Sequence, residues 1–207
     1  MNKKQLAILL SQLKNFEKQD IGLEQYPTEC EIAAQSLWFA YMQSNIKNKI
    51  IADLGCGNGI FGIGSLILGE KKIIFLDVDK KILDIAKENL KFIEKKLNKK
   101  FNANFINKNI KDFHKKVDII IQNPPFGVKN THADKLFLLV AMENAPIIYS
   151  FHKIESKNFI EKLVEENNFR VKNIISFNFH LKRNFFFHTK RVYYVKVGFW
   201  KIERFKK

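Results

Sequence analysis

The sequence predicts an α/β fold: a mostly parallel seven-stranded sheet, helices on both faces, and an antiparallel hairpin at its C-terminal end. Three observations lead there. From about Ile50 to Phe151, short β-branched runs alternate with helical patterns, the signature of strand–helix–strand units. Two long β-like runs, Val171 to Phe179 and Val192 to Ile202, then follow with no room for a helix between them, so they pair antiparallel. Two of the earlier strands stop at strong breakers, Gly55-Cys56-Gly57-Asn58-Gly59 and Asn123-Pro124-Pro125. In an open α/β sheet, ligands bind at the carboxyl ends of the strands, where strand order reverses.

The elements read in order. Leu6, Leu9, Leu10, Leu13 and Phe16 recur at helical spacing. Thr28 and Glu31 have capping-box spacing for a helix over Glu29 to Ser44. Strand 1 is Ile50 to Leu54, and a helix follows its glycine loop to about Leu68. Strand 2 is Lys72 to Asp77, followed by an amphipathic helix over Asp79 to Leu97. Strands 3 and 4 are Asn104 to Lys108 and Val117 to Gln122. A helix over Asp134 to Asn144, a strand over Pro146 to Phe151 and a helix over Glu155 to Asn168 precede the hairpin.

The 207 residues suit one α/β domain. Apolar residues make up 46% and charged residues 28%, enough for a core and a solvated surface. No apolar run approaches the roughly 18 residues of a spanning helix, and no signal peptide is recognisable. Cys30 and Cys56 alone make neither a disulfide framework nor a zinc knuckle, so no metal is expected and the cytoplasm is the expected compartment. The net charge of +15 favours a polyanionic partner, nucleic acid first. Only Arg170, Arg183, Arg191 and Arg204 are arginines. The lysine excess accompanies abundant Asn, Ile and Phe, all with AT-rich codons, so genome composition accounts for part of it.

The glycine loop admits two cofactors. Gly57-x-Gly59-x-x-Gly62 satisfies the dinucleotide fingerprint. That register begins four residues past Asp53, deep in the loop. Asp53 at the strand end followed by Gly55-x-Gly57-x-Gly59 instead resembles the S-adenosylmethionine loop of Rossmann-like (class I) methyltransferases. An acid near the loop suits the cationic methionine amine. Asp77, ending strand 2, suits two ribose hydroxyls. A ligand-free glycine turn is the plain alternative.

Asn123-Pro124-Pro125-Phe126 ends strand 4 on the same sheet edge. Each proline fixes its own φ and removes an N–H. Asn123 precedes a proline and is held extended. Its side-chain oxygen and a proline carbonyl are then two acceptors suited to one planar amine. Phe126 offers a ring on which a flat base stacks. Adenine N6, cytosine N4, guanine N2 and the glutamine side-chain amide all meet this requirement.

Leu23-Glu24-Gln25-Tyr26-Pro27-Thr28, the glycine loop, Asn123-Pro124-Pro125-Phe126-Gly127 and Tyr149-Ser150-Phe151-His152-Lys153 together resemble the small methyltransferases that modify N6 of one adenine in small-subunit ribosomal RNA. The family includes archaeal members, and the resemblance covers about Leu23 to Ile202. It implies S-adenosylmethionine as cofactor, held by Gln25, Thr28, Asp53, Gly55, Gly57, Asn58, Ile60 and Asp77, with Asn123, Pro124, Pro125 and Phe126 as the catalytic turn. The family usually has Asp after strand 3. Here Asn109 stands there, followed by Ile110, so weaker contact with the cofactor's adenine is implied. The resemblance also implies a small zinc-binding activator protein on the sheet edge near strand 3; a stable monomer is the alternative.

His180 to Arg191 interleaves basic residues with three phenylalanines. An RNA-binding reading puts Lys182, Arg183, Lys190 and Arg191 on phosphates and Phe186 near the target base. A hairpin turn that packs its phenylalanines is the alternative. His152 and Lys153, after a strand at the ligand edge, are further candidates for RNA contact.

The sequence is therefore expected to form one methyltransferase domain over 1–207, with a helical extension at 1–48 and a catalytic core at 49–207. Its expected activity is methyl transfer to an adenine N6 of small-subunit rRNA. Protein glutamine-N5 methylation and a non-catalytic rRNA-binding assembly factor are the competing readings.

Overall fold

A computed structural model describes residues 1–15, 28–44, 46–125, 133–182 and 192–205. The elements are α1 (Lys3–Leu10), α2 (Cys30–Ser44), β1 (Ile50–Leu54), α3 (Ile60–Leu68), β2 (Lys72–Asp77), α4 (Lys80–Leu97), β3 (Ala103–Asn107), β4 (Ile119–Gln122), α5 (Ala133–Asn144), β5 (Ile147–Lys153), α6 (Lys157–Glu166), β6 (Phe169–Lys182) and β7 (Val192–Arg204). Short 3₁₀ turns at Ile110–Asp112 and Ile154–Ser156 precede β4 and α6.

The strands form one seven-stranded sheet ordered β3-β2-β1-β4-β5-β7-β6. The first five strands pair parallel, while β7 runs antiparallel to both β5 and β6. Strand order reverses between β1 and β4, where Leu54 stands opposite Gln122. The glycine loop and the Asn-Pro-Pro turn thus leave neighbouring strands at the same level.

Alternation along the strands makes two cores. Ile51, Ile73, Phe75, Ile119, Ile121, Tyr149 and Phe151 face a layer that includes Leu6 and Leu10 of α1, Leu37 of α2, Ile63 of α3 and Leu90 of α4. Ala52, Leu54, Ile74, Leu76, Ile120 and Ile148 face Leu138 of α5 and Ile160 of α6. Parallel strands covered on both faces are apolar throughout, as their uninterrupted Ile and Leu runs require.

Local chemistry sets the helix ends. Asn2 and Gln5 form a reciprocal capping box on α1, both bonds at 2.9 Å. Asp79 caps α4 by accepting from Lys81 N at 2.9 Å. Gly59 and Gly69 flank α3 at φ of 84° and 110°, left-handed values that a Cβ would disfavour.

Several boundaries depart from expectation: α4, β3, β4, β5 and α6 shift by one or two residues, and three further departures are informative. α1 ends at Leu10, although Leu13 beyond it is still buried. α2 begins at Cys30, so Glu29 precedes it and its carbonyl takes the Ala33 N–H at 2.9 Å. The Thr28/Glu31 capping-box register is therefore one residue early. β6 is longer at both ends than its apolar run, with a register shift between Val171 and Asn173. No helix among the described residues is long and apolar enough to cross a membrane.

Candidate active site

The loop after β1 turns by three left-handed glycines, Gly55, Gly57 and Gly59, at φ of 67°, 55° and 84°. Gly55 N and Cys56 N both donate to Leu76 O, at 2.8 and 3.0 Å, which ties the loop to the end of β2. A Cβ at Gly55 would lie 3.1 Å from the Phe137 ring of α5. Phe137, which the sequence reading missed, thus packs against the loop.

Two carboxylates line this edge. Asp53 is buried; its Oδ2 accepts from Gly62 N at 2.8 Å, and its Oδ1 has no hydrogen-bond partner. Burial pushes its carboxyl well above the ordinary range, the Gly62 N–H opposes that, and the nearby Asp77 charge adds to it. Asp77 Oδ2 accepts from Gly57 N and Oδ1 from Asp79 N, both at 2.9 Å. Its carboxyl is also raised, chiefly by burial. Asp77 therefore shapes the glycine loop, and each oxygen keeps a second lone pair for a ligand.

Gly62 has a steric reason of its own. A Cβ there would lie 2.2 Å from Phe75 Cε1. Its place in the dinucleotide-like spacing reflects helix-on-strand packing and the Asp53 bond.

Asn123 follows β4. Its Nδ2 donates to Thr28 Oγ1 at 3.0 Å, while its Oδ1 is buried and unpartnered. Once the amide's donor end is held, its acceptor end is left for another molecule's N–H. Pro124 is buried and Pro125 half-buried beside it. Thr28 thereby meets the Asn-Pro-Pro turn, in addition to the cofactor role expected of it.

The remaining expected cofactor residues have specific neighbours. Asn58 is buried; its Oδ1 takes the Ile60 N–H at 3.3 Å, and its Nδ2 donates to Lys14 O and Asn15 Oδ1 at 3.2 and 2.8 Å. Ile60 opens α3 within the core. Asn109 is exposed, and its side chain accepts from Lys111 N at 3.1 Å as cap of the 3₁₀ turn. Ile110 is buried against the α5 layer. Asn89 of α4, also missed, bonds to both Lys14 and Asn58. Its signal was a polar residue on the buried stripe of Ile82, Ala86 and Ile93.

The RNA reading needs one correction. His152 is buried at 1% exposure, stacks edge-on to Trp200 at 6.3 Å, and holds Ser150 Oγ at 2.7 Å through Nε2. Its side chain lies on the interior face of β5, so it does not meet RNA. Gln122 Nε2 donates to the same Ser150 Oγ at 3.0 Å. Lys153 sits 3.5 Å from Glu155 Oε1 with its side chain a quarter exposed. Gln25, Phe126, Arg183, Phe186, Lys190 and Arg191 lie outside the described residues, as does the side chain of Lys182.

Residues 30–145 match the family model of the methyltransferase small domain. The chain belongs to that family. As a small-domain methyltransferase it takes its methyl group from S-adenosylmethionine. Relatives extend the likeness to nearly the whole chain. The rRNA N(6)-adenosine-methyltransferase METTL5 of Danio rerio is 32% identical, over 96% of this chain and 97% of its own. Its counterpart in Drosophila melanogaster is 31% identical, over 97% and 95%. Among solved structures, a candidate RNA methyltransferase of Pyrococcus horikoshii superposes with a TM-score of 0.88, at 38% identity and over 99% and 98% of the two chains.

The residues of this methyltransferase fit its cofactor. The unpartnered Asp53 Oδ1 is a carboxyl acceptor beside a backbone turned by glycines, and the donor's ammonium placed there would favour its ionised form. The free lone pairs of Asp77 suit its ribose hydroxyls. Bound there, the cofactor supplies an electrophilic methyl group on a sulfonium.

Proposed function

We propose that the protein methylates the N6 amine of an adenine in RNA, and that its substrate is small-subunit ribosomal RNA. The observation that carries the reading is the buried, unpartnered Asn123 Oδ1, aimed by the Thr28 bond and followed by two prolines.

An exocyclic adenine amine is a poor nucleophile, because its lone pair is delocalised into the ring. In this reading Asn123 Oδ1 and the Pro124 carbonyl accept hydrogen bonds from its two N–H groups. Those bonds draw the nitrogen towards tetrahedral geometry and free the lone pair for in-line attack. Positioning is the main catalytic resource. Acceptors facing the charge that develops on nitrogen supplement it. Neither a metal nor a strong base is needed, since the proton leaves after transfer. Phe126 supplies the stacking surface in this scheme.

Several features support RNA as the substrate. Two relatives covering nearly the whole chain carry the name rRNA N(6)-adenosine-methyltransferase. The net charge of +15 favours a polyanion. In this reading Lys182, Arg183, Lys190 and Arg191 meet phosphates and Phe186 the flipped base, and Lys153 is a further RNA contact. On the cofactor side Gln25, Thr28, Asn58, Ile60, Asn109 and Ile110 complete the set. Among the described residues β3 pairs with β2 alone and ends the sheet, and a small zinc-binding activator is assigned to this edge.

The test is transfer of tritium from labelled S-adenosylmethionine to separated small subunits, large subunits, total protein and DNA, followed by nucleoside analysis. Labelled N6-methyladenosine from the small subunit is expected, and none with Asn123→Ala. Label in the large subunit overturns the subunit assignment. Label in protein overturns the adenine assignment in favour of glutamine.

A further inference from the structure

We infer that Asn89 is a positioning residue for the cofactor: it couples the glycine loop to the segment that follows α1. Asn89 lies on α4, outside both cofactor loops, and is buried at 1% exposure. Its Oδ1 accepts from Lys14 N at 2.8 Å. Its Nδ2 donates to Lys14 O at 3.0 Å and to Asn58 O at 2.9 Å. Every N–H of the amide is used, and the Lys14 N–H fixes which end is oxygen.

A second asparagine answers it. Asn58 Nδ2 donates to Lys14 O at 3.2 Å and to Asn15 Oδ1 at 2.8 Å. Its Oδ1 accepts from Ile60 N at 3.3 Å, which orients this amide as well. Two side-chain amides therefore grip the same peptide group of Lys14 from the loop and from the helix. Asn58 stands between Gly57 and Gly59, both left-handed, and Gly57 N is the group held by Asp77. A shift of Asn58 O is thus passed to the Gly57 amide and to the carboxylate beside it.

Burial makes the Asn89–Asn58 bond the critical one. Removing the Asn89 amide leaves the buried Asn58 carbonyl and the Lys14 N–H without their side-chain partner, while Lys14 O keeps its bond from Asn58 Nδ2. Each such loss is costly when buried. The surface ion pair Lys14–Glu88, at 2.8 Å with both side chains more than half exposed, adds little to this hold. The loop is permissive at its glycines, and its conformation then depends on what grips Asn58.

The inference rests on the methyl donor and not on which amine receives the methyl. It is tested on the full chain with S-adenosylhomocysteine as probe, using Asn89→Ala, Asn58→Ala and the double variant. Affinity is read by titration calorimetry, thermal stability without ligand is read in parallel, and amide exchange is followed at Gly57 to Ile60. Each single variant is expected to weaken binding about tenfold and to speed exchange at those amides. The double variant should be weakened further than either single one, because Asn58→Ala keeps the backbone carbonyl that Asn89 holds while losing the Asn58 side chain's own bonds to Lys14 and Asn15. Unchanged affinity in a folded Asn89→Ala overturns the inference, whatever its melting temperature. Should Asn89→Ala fail to fold, Asn89→Asp carries the test, since it keeps the acceptor for Lys14 N and loses the donors to Lys14 O and Asn58 O: unaltered affinity and exchange there overturn it. Absence of binding by the unaltered protein would overturn the cofactor fit itself, a different outcome from loss in a variant alone.

Discussion

Thr28 Oγ1 accepts a hydrogen bond from Asn123 Nδ2 at 3.0 Å, across 95 positions of sequence. The bond decides which end of the Asn123 amide faces the site. Thr28→Val keeps the shape and removes the acceptor, so the amide can rotate. Turnover is expected to fall about tenfold, more than S-adenosylhomocysteine affinity falls. Thr28→Ser should restore turnover. A loss of affinity equal to the loss of rate would assign Thr28 to the cofactor instead.

Asp53 is held as a buried carboxyl with one empty oxygen. Its folded pKa is raised, chiefly by burial. The folded state therefore binds its proton more tightly than the unfolded chain. Stability from this group is full below the ordinary carboxylate pKa and is lost as pH rises through the folded value. Asp53→Asn should melt higher than the parent without ligand at pH 8, with a smaller difference at pH 5. It should also bind S-adenosylhomocysteine at least about tenfold more weakly. Calorimetry and melting curves at the two pH values decide both points.

His152 shows the opposite sign. Burial lowers its pKa from 6.5 to about 3. Its neutral form is the folded one, so its contribution is full above pH 6.5 and is lost as pH falls towards 3. Urea midpoints should fall with pH more steeply in the parent than in His152→Gln over that window. Parallel curves would show that His152 titrates freely, as an RNA-facing side chain would.

Gly62→Ala should destabilise the fold by about 1–3 kcal/mol, the range for overpacking a tight interior. The new methyl would meet Phe75, whose ring stacks on Phe105 at 4.6 Å and has little room to yield. Adding Phe75→Leu should recover part of the loss. Denaturation of the two variants measures it.

Most of the sheet was legible because parallel strands are short, uniformly apolar and sharply bounded. β1 and β2 match their expected ranges in full. Ends set by tertiary contact were not legible: β6 continues past its apolar run because β7 pairs with it residue by residue. The breakers named the site's edge, since Gly55-x-Gly57-x-Gly59 and Asn123-Pro124-Pro125 leave few conformations open. The grip on that edge was hidden. Asn89 and Thr28 act through partners 75 and 95 positions away, and no local spacing records such a bond. His152 misled because both faces of β5 are covered, and the sequence does not say how far towards the strand's carboxyl end that cover reaches. The nearby Trp200, Nε1 donating to His152 O at 3.3 Å, closes the face on which His152 lies.

The strand order β5-β7-β6 has a consequence for synthesis. β7 is made after β6 yet lies between it and β5. Until β7 has emerged from the ribosome, β5 has no partner on that side, and its buried Tyr149 and Phe151 lack Phe199, at ring-centroid distances of 5.4 and 4.7 Å in the finished sheet. The nascent chain therefore passes through a stage with an open, aromatic strand edge, the condition under which chains pair with their neighbours. Closing the sheet waits on insertion of the last strand, so a message truncated ahead of Val192 would yield an aggregating product and not a smaller working enzyme.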